Sequence, residues 1–196
     1  MASGLNRLIA AESDITRFDS IVGDGDCGTV LKRGAIAILK MQEKDDESDD
    51  ALINIARIVQ TIEATMDGTS GALYAIFLNA LAHNLRTQDT VYPTPMTTEI
   101  WATALSRSLE ALEKYTPAKP GDRTVLDALY PFVTILEETG NLQKATEAAK
   151  RGSDQTKGME PRLGRSVYVG GGGYQQVPDP GAYGLSEFLI GLEAIL

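Results

Sequence analysis

Asp19, Asp24 and Asp26 lie within eight residues of one another, interleaved with Gly23 and Gly25 and followed by Cys27-Gly28-Thr29. Glycine lets a chain fold back sharply, so the three carboxylates can converge on one point. Like charges brought that close repel unless a cation neutralises them. Hard oxygen donors of this kind suit Mg²⁺, which binds a few carboxylates and leaves its other positions to water or phosphate. The same spacing also fits a plain turn, with one aspartate capping a helix and its neighbours solvated. Spacing alone does not separate the two. The calcium-binding EF-hand pattern, twelve residues ending in Glu, is missing.

Two helix starts stand beside this question. Gly28-Thr29 opens a helical pattern directly after the acids, and Thr69-Ser70-Gly71 opens another. Helix N-termini bind phosphate through free N–H groups and the helix dipole. Each start alone is an ordinary cap. Next to a carboxylate cluster, the two point to phosphate held through Mg²⁺. The phosphate-loop signature GxxxxGK[ST] and the protein-kinase motifs are absent. Arg123, Arg162 and Arg165 lie near glycine-rich turns and could stabilise phosphate charge; each alone reads more readily as a surface ion pair. His83, the only histidine, sits in the most apolar helical stretch and reads as a hydrogen-bonded helix residue. Cys27 sits among carboxylates that disfavour a thiolate, which argues against nucleophilic catalysis.

Helices must position these groups. Apolar residues recur at three- and four-residue steps over 5–18, 29–41, 50–65, 70–86, 97–115, 122–138, 142–151 and 182–196. The 70–86 stretch is nearly all apolar or small, which predicts a helix buried on most sides. About eight helices with mostly short connections predict an all-α, up-and-down antiparallel bundle. Val167-Tyr168-Val169 is the best strand candidate and is too short to build a sheet. No repeat or linker divides the chain, so 1–196 reads as a single domain.

At 196 residues, 43% apolar and 23% charged, the chain has the composition of a soluble globular domain with a sizeable core. No apolar run is long enough to span a bilayer, and no basic-then-apolar start reads as a secretory signal. One cysteine excludes an intrachain disulfide and a multi-cysteine zinc site. A cytoplasmic, non-membrane protein is the expectation. The net charge of −9 argues against a nucleic-acid partner. Part of that charge is the acidic run 43–50, which reads as a solvated loop.

Five motifs occur in order: Asp19-x4-Asp24-Gly25-Asp26-x-Gly28-Thr29, Gly68-Thr69-Ser70-Gly71-Ala72-Leu73-Tyr74, Pro120-Gly121-Asp122-Arg123-Thr124-x2-Asp127, Gly164-Arg165-Ser166-x-Tyr168, and Asp179-Pro180-Gly181-Ala182. Over nearly the whole chain they resemble the C-terminal, nucleotide-binding domain of ATP-dependent dihydroxyacetone (glycerone) kinases, and the tail resembles the fused eukaryotic-type enzymes. The resemblance implies an eight-helix antiparallel barrel with the nucleotide, ATP or ADP, at one end. It implies that Asp19, Asp24 and Asp26 hold two Mg²⁺ ions. Cys27, Gly28, Thr29, Val30, Thr69 and Ser70 would cradle phosphate. Thr116, Thr124, Val125, Arg165, Asp179, Pro180 and Gly181 would line the nucleotide pocket. Thr116 departs from the Gly of many relatives. Met66-Asp67-Gly68 replaces Met-Gly-Gly and leaves Asp67 without a role.

The family holds its ketone covalently through a histidine on a separate domain, and nothing in this sequence matches that domain. The resemblance therefore implies a dihydroxyacetone-binding partner domain, in the same polypeptide or another subunit, with a homodimer formed through it. Two alternatives stand beside the kinase. One is a phosphotransferase-linked subunit using bound ADP as a cofactor. The other is a non-catalytic nucleotide-binding regulatory module. Some fused relatives also cleave FAD to cyclic FMN.

Overall fold

Helical apolar periodicity governs most of the chain that the computed structural model describes, namely residues 1–44, 50–88, 96–170 and 172–194. The elements are α1 (Ala2–Ala10), α2 (Glu12–Val22), α3 (Cys27–Lys44), α4 (Ala51–Thr65), α5 (Gly68–Gln88), α6 (Thr98–Leu112), α7 (Leu126–Thr139), α8 (Leu142–Gln155), α9 (Ser166–Val169), a 3₁₀ turn (Gly172–Gln175) and α10 (Pro180–Glu193). The described residues contain no strand. Most of the acidic run 43–50 lies outside them.

Among the described residues ten α-helices replace the eight that periodicity predicts, for two reasons. The first stretch is interrupted at Ala11, whose φ −80° and ψ −6° stay in the right-handed region while altering one turn. The one-turn α9 stands where Val167-Tyr168-Val169 suggested a strand. Those three side chains are exposed, and β-branched residues favour a strand only where a pleated surface exists to pack on. The helix foreseen from 122 begins at Leu126 instead. The Asp127 carboxylate draws the amides of Gly121 (2.5 Å) and Thr124 (2.8 Å) into a turn there.

Side chains fix several helix starts. Asp50 accepts from the amides of Leu52 and Ile53, Thr97 from Ile100, Asn141 from Lys144 and Asp179 from Ala182. Each such cap is worth about 1 kcal/mol. Gly140, at φ +60°, ends α7 in the left-handed conformation that glycine favours.

Packing follows chain order. α2 lies on α3, α3 on α4, α4 on α5, α5 on α6, α6 on α7, α7 on α8 and α8 on α10, and α10 packs back against α1 and α2. Three large apolar clusters fill the interior, beside a small one of Phe18, Val22 and Val177. One centres on Phe77, Leu112, Leu126 and Phe132, a second on Leu5, Ile15, Leu31 and Ile62, and a third on Ile55, Val59 and Leu85. Leu78 of α5 packs against all three. A fully buried side chain such as Ile15 or Leu112 contributes roughly 1.5–3 kcal/mol. The α5 helix is less enclosed than its composition predicts. Ala72, Asn79, His83 and Arg86 form an exposed stripe, because α4 and α6 cover only its flanks.

Candidate functional site

Asp19 lies in the last turn of α2, and the glycine-rich turn after the helix carries Asp24 and Asp26 back toward it. One carboxylate oxygen from each of the three lies within 4.8 Å of the others. Local sterics explain the glycines. A Cβ at Gly23 would collide with the Asp19 carboxylate, and Gly25 takes φ +80°. Gly28 is buried in the first turn of α3, where a Cβ would collide with the Thr16 hydroxyl and the Glu12 carbonyl of α2. The start of α3 is thus pressed onto α2 beside the acids.

Asp19 is buried and its Oδ2 accepts from the Cys27 amide at 3.0 Å. Its pKa is raised, chiefly by burial and further by Asp24 and Asp26, against the opposing pull of the Cys27 and Gly25 amides. One aspartate therefore does cap a helix, and all three also converge. Three clustered oxygen donors, two of which disfavour the charge of the third, fit a hard divalent cation. Arg165 reaches the cluster from the turn before α9, with Nη1 2.5 Å from Asp24 Oδ2.

The start of α3 offers selective donors. The Cys27 amide is taken by Asp19, and the Val30 amide by the Asp26 carbonyl at 3.0 Å. The helix supplies no acceptor for the amides of Gly28 and Thr29. The Cys27 thiol is pushed well above its ordinary value, first by burial and then by Asp19 and Asp179. Burial thus outweighs the carboxylates in keeping it a thiol.

Thr69 and Ser70 stand in the first turn of α5. A Cβ at Gly71 would collide with the Met66 carbonyl, and one at Gly34 would come within 2.5 Å of the Met66 sulfur. Met66 therefore fits between α3 and α5. Arg33 holds the same loop by donating to the Thr65 carbonyl (2.5 Å) and to Asp67 (2.5 Å). Asp67, unassigned from sequence, is an exposed partner in that link. One turn beyond Ser70, Tyr74 is raised in pKa by burial, then by Cys27 and Asp179. The starts of α3, α5 and α10 thus share one electrostatic environment.

At the start of α10, Asp179 caps the helix through Ala182 N (2.8 Å), and its own amide donates to Thr156 Oγ1 (2.7 Å). A Cβ at Gly181 would sit 3.5 Å from Val125 Cβ, so Val125 and Gly181 are neighbours. Thr124 and Pro180 flank that contact. Thr116 uses its hydroxyl locally, accepting from the Ala118 amide at 3.2 Å. Arg162 pairs with Asp122 at 3.7 Å on the surface, as its isolated reading predicts. Beside the 120–124 turn, a cleft of about 390 Å³ is lined by Gly121, Asp127, Pro131, Arg151 and Gly152 among others.

Asp179 yields a testable pH dependence. Burial lifts its pKa to about 6, although the Ala182 amide and Arg123 pull it down. The unfolded value is about 4. A raised carboxyl binds its proton more tightly folded than unfolded. Its contribution to stability is therefore complete below about pH 4, falls between about 4 and 6, and stays flat above. The Asp179→Asn variant keeps a cap oxygen and removes the titration. Its stability relative to wild type should rise by on the order of 3 kcal/mol across that window, measured by urea unfolding at each pH. A flat difference contradicts this assignment.

Two residues of this region were missed or misread from sequence. Thr156 carried no signal, because its hydroxyl serves a residue 23 positions away. Arg123 reads as a surface cation and is instead 1% exposed.

The DAK2 domain family matches residues 21–194. Dihydroxyacetone kinase 1 of Saccharomyces cerevisiae is 42% identical over 197 residues, covering 100% of this chain and 33% of that protein. Dihydroxyacetone kinase of Komagataella pastoris is 38% identical over 200 residues, covering 98% and 33%. Triokinase/FMN cyclase of Homo sapiens is 32% identical over 200 residues, covering 96% and 33%. The chain spans about a third of the length of these relatives. Among solved structures, the native dihydroxyacetone kinase of C. freundii matches with a TM-score of 0.78 at 26% identity, over 100% of this chain and 33% of that one. The same enzyme in complex with AMP-PNP and Mg²⁺ matches at 0.76 and 25% identity, with the same coverage. By a match that takes in Asp24, Asp26 and the starts of α3 to α10, the chain belongs to the DAK2 domain family.

Proposed function

We propose that this chain is the ATP- and Mg²⁺-binding part of a dihydroxyacetone kinase. The γ-phosphoryl of ATP would pass to the primary hydroxyl of dihydroxyacetone, giving dihydroxyacetone phosphate and ADP. The observation that carries this reading is the convergence of Asp19, Asp24 and Asp26 within 4.8 Å beside the start of α3. The names of the relatives and the AMP-PNP and Mg²⁺ complex of a similar structure support it. Relatives about three times longer support a ketone-binding domain on the same polypeptide. They favour that over a separate subunit working on bound ADP.

Residues 1–196 would form one nucleotide-binding domain. The eight long rods, with α1 and α2 counted as one, would close into an antiparallel barrel with the nucleotide at one end. The return of α10 onto α1 and α2 supports that closure. Asp19, Asp24 and Asp26 would hold two Mg²⁺ ions, which supply charge neutralisation at the phosphates. The amides of Gly28 and Thr29, flanked by Cys27 and Val30, would donate to phosphate oxygens, joined by Thr69 and Ser70. Arg165 brings positive charge to the same end. Thr124, Val125, Asp179, Pro180 and Gly181 would line the rest of the nucleotide, with Thr116 at its edge. The whole enzyme would be cytoplasmic and would dimerise through the ketone-binding domain.

Calorimetric titration of the chain with ATP in Mg²⁺ tests the reading. We expect saturable, Mg²⁺-dependent binding, and in a coupled assay dihydroxyacetone phosphate only after a ketone-binding domain is added. A folded chain that binds no Mg·ATP ends the proposal.

A further inference from the structure

Arg123 is the only non-glycine residue with positive φ among the described residues, at +62°. L side chains adopt that conformation at a cost. Its guanidinium is also fully enclosed, with a side-chain exposure of 0%, and burying a charge costs more. Two such costs at one residue imply that the surroundings hold it there for a reason. The Arg123 Nη2 donates to the carbonyls of Val177 (3.0 Å) and Pro178 (3.2 Å). Its Nη1 lies 4.0 Å from Asp179 Oδ2. The side chain thus leaves the turn before α7 and ends on the segment that leads into α10.

That bridge joins the two segments in which Val125 and Gly181 meet. Each is also held from its own side. Asp127 draws in the amides of Gly121 and Thr124, and Thr156 at the end of α8 accepts from the Asp179 amide. Arg123 alone among these ties one helix start to the other. Its Nε and Nη1 have no hydrogen-bond partner, so the guanidinium is not optimised for its own hydrogen bonding. The carbonyls it grips lie just before the α10 cap, where a small displacement would re-aim the first-turn amides.

We propose that Arg123 is a positioning residue. Without touching the nucleotide, it locks the start of α10 against the start of α7, so that Thr124-Val125 and Asp179-Pro180-Gly181 present one surface to one ligand. This rests on the Mg·ATP reading above. Lysine copies the link only in part, because one ammonium can meet the two carbonyls but leaves no second nitrogen to set beside Asp179.

The test uses Arg123→Gly, which suits the positive φ, together with Arg123→Lys, which keeps a cation and much of the buried volume. Mg·ATP affinity is measured by calorimetry well below the melting temperature. Amide hydrogen exchange is followed by peptide mass spectrometry on the same samples. We expect Arg123→Gly to lose at least about tenfold in affinity, with faster exchange confined to 177–182, and Arg123→Lys to recover only part. Affinity within twofold of wild type in folded Arg123→Gly overturns the proposal. So does a loss accompanied by faster exchange throughout the helices, which marks a merely structural role. A wild-type chain that fails to bind Mg·ATP refutes the underlying reading instead.

Discussion

Asp26→Ala is expected to abolish Mg·ATP binding while leaving the helices intact, and Asp24→Ala to do the same. Both residues are exposed, so neither truncation opens a cavity. Loss of an outer-sphere partner at a metal site costs about 10–100-fold in affinity, so loss of a direct carboxylate ligand should exceed roughly 100-fold. Stability without metal should move little or upward in Asp26→Ala, because a like charge leaves the cluster. In Asp24→Ala the exposed Arg165 loses its partner, a pair worth about 0–1 kcal/mol. Asp19 is the poorer probe. Its carboxylate also holds the Cys27 amide, so its removal mixes metal binding with the start of α3. Calorimetry with Mg·ATP and circular dichroism on the same samples make the measurement. Unchanged affinity in either variant removes the cluster from the nucleotide site.

The legible parts of this molecule are those decided within a few residues. Apolar spacing placed the long helices, since a stripe at 3.6 periodicity has one stable burial. Asp179-Pro180 starts α10 through a cap oxygen and a fixed φ, which act locally. Gly23 and Gly25 announced the return of Asp24 and Asp26 toward Asp19 for the same reason. Distant partners decided the rest. The burial of Arg123 depends on carbonyls 54 and 55 positions along the chain, and no local pattern carries that information. The Arg165–Asp24 pair joins residues far apart in sequence and reads locally only as a lone cation. The Val167–Val169 triplet failed in the other direction. Its strand propensity is real but needs a sheet, and a one-turn helix formed where no strand was available.

Gly152→Ala tests a junction that sequence alone does not disclose. Pro131 lies inside α7 and has no N–H to give the carbonyl four residues earlier, which is that of Asp127. Gly152 of α8 packs onto this same carbonyl. A Cβ at Gly152 would overlap the Asp127 oxygen and come 3.0 Å from Pro131 Cγ. Close approach allows a weak Cα–H···O contact to the carbonyl that Pro131 leaves without its helical donor. Two effects of opposite sign compete in the variant. Alanine is better than glycine inside a helix by about 1 kcal/mol. Overpacking costs typically 1–3 kcal/mol, more where backbone must move. Backbone must move here, and the Asp127 peptide is not free to yield. Its carboxylate is committed to the Gly121 and Thr124 amides. The steric term therefore wins, and we expect a net loss of about 3 kcal/mol. At this chain length that lowers the melting temperature by roughly 6–12 °C, read by calorimetric scanning. Displacing Asp127 also loosens the Thr124-Val125 turn, so Mg·ATP affinity should fall together with stability. A variant as stable as wild type would mean that α7 and α8 can part without cost. The tight seam between them would then not be what anchors the turn beside the proposed nucleotide site.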